Sequence, residues 1–306
     1  MARIAEAVTT PALQIGVEDF IRIRASTDEG QSTIVEWQGQ VLSYKAGDVP
    51  AVVFNVQGIN IARAKKVSDG SYDLLGRELQ LYLDPVTNEV LRVWHNPYSG
   101  KEVPGWSLYN AQDHIKIIHH STVVHVANNP VQQKIPQGAA YQARAQPGGT
   151  YTFSVNIPLA YPNPLNPSAD PKSPLYPYSG PQARYSAIES FTFTFPASEL
   201  SGPTNSVPST QVYWTRTSPL LPFMATPATD VSLLFVASGA KVDGGWENIA
   251  SAAVRQVIEE RLPVYKDAPT ERDGPGGGVS SWSYFARPEV FQAYLNGATF
   301  PLPDPA

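Results

Sequence analysis

Arg216 lies in Tyr213-Trp214-Thr215-Arg216, just ahead of the apolar run Pro219-Leu220-Leu221-Pro222-Phe223-Met224. On a strand it shares a face with Trp214, because alternate side chains point the same way. A guanidinium among large apolar groups either snorkels to water or is held inside by an anion, a carbonyl or a protein carboxylate such as Glu189. Glu189 has a similar setting, since Tyr185, Ala187, Glu189, Phe191, Phe193 and Phe195 form one face of an alternating run. If that face is interior, burial penalises the charged carboxylate unless a cation compensates. The first case gives a general acid or base, and the second a structural Arg–Glu pair. Tyr185 and Tyr213 are candidate proton donors beside them. Arg22 and Arg24, in Phe20-Ile21-Arg22-Ile23-Arg24, read as the solvated face of a strand.

All five histidines fall between positions 95 and 125: His95, His114, His119, His120 and His125. There is no H-x-H pair and no H-E-x-x-H. On one strand face, the Cα atoms of His119 and His125 stand about 20 Å apart, too far for one ion. Hydrogen-bonded strand histidines are therefore favoured over a metal site. His125 remains a candidate base, because imidazole titrates near neutral pH. No dinucleotide, Walker or G-x-S-x-G signature is present, and Gly274-Pro275-Gly276-Gly277-Gly278 does not open a helix after a strand. No cofactor is implied.

The aromatic residues suggest where such groups act. Tryptophans stand at 37, 94, 106, 214, 246 and 282, with 15 Tyr and 11 Phe, while charged residues are only 16%. Rings with few charges suit an apolar cavity holding a few polar groups. Trp214, Trp94, Tyr82, Phe191 and Trp282 are the candidate substrate-binding residues.

The elements that must position these groups are mostly strands. Alternation marks Ile34–Tyr44 (with a bulge expected at Gly39), Ala51–Ala62, Arg77–Leu83, Trp106–Tyr109, Ile115–Val126, Tyr151–Ile157, Tyr185–Phe195, Gln211–Thr217, Val231–Ala237 and Ser281–Phe285. Asp84-Pro85-Val86-Thr87-Asn88 is a turn, so Arg77–Leu83 and Val90–Trp94 read as a hairpin. Asn96–Gly100 is the next turn. Trp246–Leu262 and Pro288–Leu295 read as helices. Eight prolines between 158 and 181 make that stretch a long loop, favoured as a lid. The expected fold is mainly β, with α+β as the alternative: antiparallel strands in a curved sheet or barrel with a few peripheral helices. It forms one domain over 17–300, between tails at 1–16 and 301–306.

The 306 residues (33.2 kDa) are enough for a large core. A net charge of −5 argues against a nucleic-acid partner. Without cysteine there are no disulfides, thiol catalysis or iron–sulfur clusters. Met1–Gly16 has one arginine and no sustained apolar run, and no segment approaches the roughly 20 apolar residues of a membrane span. A cytoplasmic chain with no membrane partner is expected, with a homodimer as its candidate assembly.

Three segments resemble a known family. Arg77-Glu78, Tyr82 to Leu91 and Trp94-His95-Asn96-Pro97-Tyr98-Ser99-Gly100 resemble the central signature of a bacterial and fungal family known as a domain of unknown function. Trp214-Thr215-Arg216 with Pro219 to Met224 resembles its second signature, and Ser280 to Phe285 its C-terminal one. The resemblance spans about 20–290 and departs after Trp106, where an Asn-Asp-Pro-like ending becomes Asn110-Ala111-Gln112-Asp113. A looser likeness, tied to no motif, is to lyases that remove a hydroxymethyl group as formaldehyde from lignin-derived aromatic dimers. These lines favour a cofactor-independent lyase or isomerase acting on a small phenolic molecule. A non-catalytic lipophile-binding barrel and a His-dependent metalloenzyme are the alternatives.

Overall fold

The computed structural model describes residues 12–66, 72–104, 108–117, 122–126, 133–135, 141–163, 165, 170–179, 182–226, 230–271 and 286–297, with only the backbone given within 104–140. The fold is mainly β. Twelve strands form one antiparallel sheet in the order β1-β10-β11-β12-β13-β14-β2-β3-β4-β7-β8-β9, curved into a half-barrel. The long strands are β2 (Thr33–Lys45), β3 (Ala51–Lys66), β4 (Tyr72–Leu83), β11 (Thr150–Pro162), β12 (Arg184–Pro196), β13 (Gln211–Pro219) and β14 (Val231–Val242). Shorter ones are β1 (Leu13–Ile15), β7 (Leu108–Ile117), β8 (Thr122–Val126), β9 (Gln133–Ile135) and β10 (Tyr141–Gln146). A separate hairpin joins β5 (Val93–His95) to β6 (Glu102–Pro104). Two meanders, β2-β3-β4-β7-β8-β9 and β10 to β14, meet where β14 pairs with β2.

The register defines an inner face. Glu189 pairs with Arg216, Arg216 with Phe235, and Phe235 with Val41. One row along, Phe191, Trp214, Ala237, Gly39, Val56 and Tyr82 line up across six strands. The next row is Phe193, Val212, Gly239, Trp37, Gly58 and Gln80. The small residues at the centre of these rows let neighbouring backbones come close. A Cβ on Gly39 would lie 2.1 Å from the Val236 carbonyl, and one on Gly239 2.3 Å from that of Glu36. Gly39 thus marks a close approach, and the register shift expected there lies at Val41/Leu42.

Each end of the inner face is closed by a different piece. Phe54, Tyr82, Trp94 and Phe223 pack at one end with centroids 5.4–6.4 Å apart. At the other, α1 (Val17–Arg24) brings Phe20 against Tyr141, Phe153 and Phe193. On the outer face, α4 (Ala252–Glu260), capped by Ser251 accepting from the Val254 amide, packs on β3 and β4. Its Val254 and Ile258 join Ile59, Ile61, Leu79 and Leu81 in the larger core. Among the remaining helices, α2 (Tyr176–Ser179) brings Tyr178 against Phe291 and Tyr294 of α5 (Pro288–Leu295), and α3 (Ala197–Ser201) follows β12.

Several expectations need correction. Phe20–Arg24 is helical: Glu18 and Asp19 in the first turn and Arg22 and Arg24 in the last complement the helix dipole, which outweighs a five-residue alternation. Arg22 is not solvated but donates to the carbonyls of Glu199, Leu200, Gly202 and Thr204. The hairpin after Asp84 is short: Val90 bridges Leu83, and the chain then peels away because Trp94 enters the aromatic end core. The partner of β4 beyond β3 is β7. Residues 158–162, expected in a loop, extend β11 as far as Pro162, which pairs with Arg184 on β12. Residues 13–15, assigned to a tail, pair with β10. The expected helix from Trp246 is a one-turn 3-10 segment, Trp246–Asn248, followed by α4. Ser281–Phe285 lies outside the described residues.

Lys241 fixes α1 to the sheet, its ammonium donating to Arg22 O, Ala25 O and Ser206 Oγ at 2.7–2.8 Å. Burial, helped by the nearby Arg24 charge, lowers its pKa to about 7. The unfolded chain therefore binds more protons between about pH 7 and the ordinary lysine range, and stability rises with pH across that window. Denaturant titrations should show a gain on the order of 3 kcal/mol there, and Lys241→Met should flatten the slope. Gly239→Ala should cost at least about 2 kcal/mol, because the added carbon meets rigid backbone.

Candidate active site

The two hydrophobic clusters do not merge across the middle of the inner face. Trp214 packs against one and Phe191 against the other, and the two rings stack at 6.4 Å and 24°. Both are half-buried, as is Trp37. Inner-face rings that keep solvent contact mark a hollow between the end plugs.

Glu189 and Arg216 sit beside it. They are directly opposed on β12 and β13. Arg216 Nη1 lies 3.0 Å from Glu189 Oε1, and each side chain is only 16% exposed. The sequence left open whether Arg216 faced water or a protein carboxylate, and it faces Glu189. Arg216 Nη2 also donates to the Tyr185 hydroxyl. Its guanidinium carbon lies 5.7 Å from the ring centres of both Tyr185 and Phe235. An arginine held by a carboxylate, a phenol and two ring faces is fixed in place.

Tyr82 faces the same region from β4. Burial pushes its phenol well above the usual tyrosine range, while the Arg216 charge and a hydrogen bond with Gln80 oppose that shift. Tyr82 therefore stays protonated. Gln80 Oε1 also accepts from Trp37 Nε1 at 3.1 Å. Deeper along the strands, Arg24 of α1 donates to Asn60 Oδ1 at 2.7 Å.

The structure thus gathers Arg216, Glu189, Tyr185, Trp214 and Phe191, with Tyr82 in the end plug next to them, 4% exposed against Phe54 and Phe223. Tyr213 is corrected: strand alternation puts it on the outer face, 50% exposed. Trp94 is corrected to an end-plug residue, 6% exposed against Phe54 and Phe223. His125 is on β8, where only the backbone is described, and Trp282, His119 and His120 lie outside the described residues. Among the described residues, no group of three or more His, Asp or Glu could hold a metal ion, and no helix is long and apolar enough to cross a membrane. Sequence reasoning missed Trp37 and Gln80 as site residues. Trp37 alternates with Gly39, a signal that was present but read only as a bulge.

The family signatures acquire a structural meaning. Asn96, fully buried, donates to Met224 O at 2.6 Å and Thr226 Oγ1 at 2.7 Å, while its Oδ1 accepts from the amides of Tyr98 and Ser99. It thereby ties the turn after β5 to the segment after β13, which places Phe223 and Trp94 as one plug. Trp214 and Arg216 are signature residues that face the hollow instead.

Removing one member of the ion pair leaves the other poorly solvated. Arg216→Met should destabilise by about 2–4 kcal/mol, and the double variant Arg216→Met/Glu189→Leu by less than the sum of the single changes. Denaturant unfolding of the four proteins in this cycle measures the coupling.

Comparison with known proteins gives a family. Residues 30–289 match the model described as "Protein of unknown function (DUF1838)". No curated protein matches. Among solved structures, the chain is similar to Ail, the attachment invasion locus protein of Yersinia pestis, at 10% identity over 69% of this chain and 95% of that one, with a TM-score of 0.24. It is also similar to the S-type phycobiliprotein lyase CPES of Guillardia theta, at 8% identity over 75% and 94% of the two chains, with a TM-score of 0.26. At such scores neither likeness carries an argument. The family match spans most of the sequence, and the chain belongs to the DUF1838 family.

Proposed function

We propose that this chain is an enzyme, a lyase or isomerase that uses its own side chains as acid and base on a small phenolic molecule. The observation that supports this is the fixed Glu189–Arg216–Tyr185 group beside a partly solvent-accessible, ring-lined hollow. Glu189 is the base for the phenolic proton. Arg216 opposes the negative charge that develops on the phenolic oxygen, an effect worth about 10²–10³-fold in comparable sites. Tyr185, itself only 1% exposed, holds Arg216 in place from behind, and the departing oxygen takes its proton from solvent.

In its most specific form the substrate carries a hydroxymethyl group on its side chain. Loss of the phenolic proton and of a benzylic leaving group gives a quinone methide. A second base removes the hydroxymethyl proton, the C–C bond pair becomes a side-chain double bond, the exocyclic pair of the quinone methide returns to the ring as phenolate, and formaldehyde departs. Each positioned proton transfer contributes about 10²–10⁴-fold.

Incubating the protein with phenolic dimers bearing hydroxymethyl side chains, followed by formaldehyde assay and mass analysis, tests the proposal. Glu189→Gln keeps the side-chain size and a contact for Arg216. It should lower turnover at least about 10²-fold with an unchanged circular dichroism spectrum, and Arg216→Lys should do the same. Saturable tryptophan quenching by compounds that are all recovered intact would instead make the protein a carrier.

A further inference from the structure

The family match begins at residue 30, so β1 and α1 precede it. Yet α1 closes one end of the inner face, with Phe20 against Tyr141, Phe153 and Phe193, and with Ile21 and Ile23 fully buried. Its C-terminal end is held by a small set of polar contacts. The Arg22 carbonyl accepts from Lys241 Nζ and from the Val207 amide. The Ala25 carbonyl accepts from Lys241 Nζ and from the Ser206 hydroxyl. The sheet pairings from β11 across to β4 do not pass through α1, so the helix can leave while the sheet stays paired.

Lys241 commits all three ammonium hydrogens, to Arg22 O, Ala25 O and Ser206 Oγ. It forms no ion pair among the described residues. The charged groups around it are mostly of its own sign. On α1 they are Arg22 and Arg24, with Asp19 standing 4.0 Å from the Arg22 guanidinium. On α3 there is Glu199, whose carboxylate accepts from the Ser209 amide and hydroxyl. On β2, Val35 pairs with Lys241, and the neighbouring Glu36 accepts from the Ala250 and Ser251 amides on the other face. A cation withdrawn from water beside two further cations has its charged form penalised, and the lowered pKa of Lys241 has the same sign. Carbonyl and hydroxyl oxygens offset part of that penalty without a counter-charge.

We propose that Lys241 is a proton-operated latch on α1: charging its amine favours release of the helix, which opens the Phe153–Phe193 end of the inner face, and discharging it favours docking. The sign follows from linkage. Released, the amine meets water and binds a proton as an ordinary lysine does; docked, it binds one less readily. Docking therefore strengthens as pH rises above neutral and weakens as it falls. The latch is independent of the chemistry proposed for Glu189 and Arg216.

The chain has no cysteine, so one introduced thiol reports opening. Ile23→Cys places it under α1, and Val41→Cys places it in the larger core, both at fully buried positions. Maleimide labelling is followed from neutral to alkaline pH, and each rate is divided by that of the same variant in denaturant at the same pH. Ile23→Cys should label faster than Val41→Cys, and its opening constant should fall about tenfold between pH 8 and pH 9. Adding Lys241→Met should remove the pH dependence. Adding Arg24→Gln removes one facing cation and should move the start of the fall to higher pH, which keeps the test decisive if Lys241→Met does not fold. Equal labelling of the two sites at every pH overturns the latch, because α1 would then open only with the whole sheet. Faster labelling of Ile23→Cys with an opening constant that does not change with pH overturns it too, since Lys241 would then keep its proton affinity on release.

Discussion

A guanidinium and a carboxylate placed opposite each other on paired strands, neither in bulk water nor sealed from it, set the terms for the rest of this molecule. Removing the charges of Arg216 and Glu189 from water is costly, and their attraction offsets that cost only while the geometry holds. The strand register supplies the geometry, since the two residues are direct partners on β12 and β13. The Tyr185 hydroxyl and the Tyr185 and Phe235 rings complete the setting. Closing the hollow entirely would deepen the desolvation, and opening it would let water screen the pair. The two separate cores and the small residues between them maintain the intermediate condition.

The class of fold was legible because period-2 alternation survives in β2, β12, β13 and β14, each with one face turned to the core, whereas β3 and β4 are buried on both faces because α4 covers their outer side. Reading Glu189 among Tyr185, Phe191 and Phe193 placed it correctly on an inner face. The same rule, followed through, would have rejected Tyr213, which alternates with Trp214 and Val212. Some errors came from local patterns overridden by tertiary contacts. Phe20–Arg24 alternates over five residues, yet the charges around it suit a helix, and Arg22 finds carbonyls some 180 positions away in the sequence. Val90–Trp94 has the letters of a returning strand, but burying the Trp94 ring against Phe54 and Phe223 outweighs continued pairing.

The hollow itself was only half legible. Rings and ionisable groups could be counted, but adjacency across strands depends on register, which the letters do not give. Nothing in the sequence sets Trp37 beside Gly239 or Gly58; two separate pairings do so. Prolines between 158 and 162 misled for a related reason. Proline forfeits one donor, yet β12 still pairs along the whole of that stretch.

Asn96 has a consequence for how such a chain can diverge. One amide satisfies two amides of its own turn, the Met224 carbonyl and the Thr226 hydroxyl, so two stretches about 130 positions apart share a single anchor. A change at 96 strands polar groups at both places at once. Descendants that abandon the asparagine must therefore rebuild both loops together, and drift in either is tethered to the other.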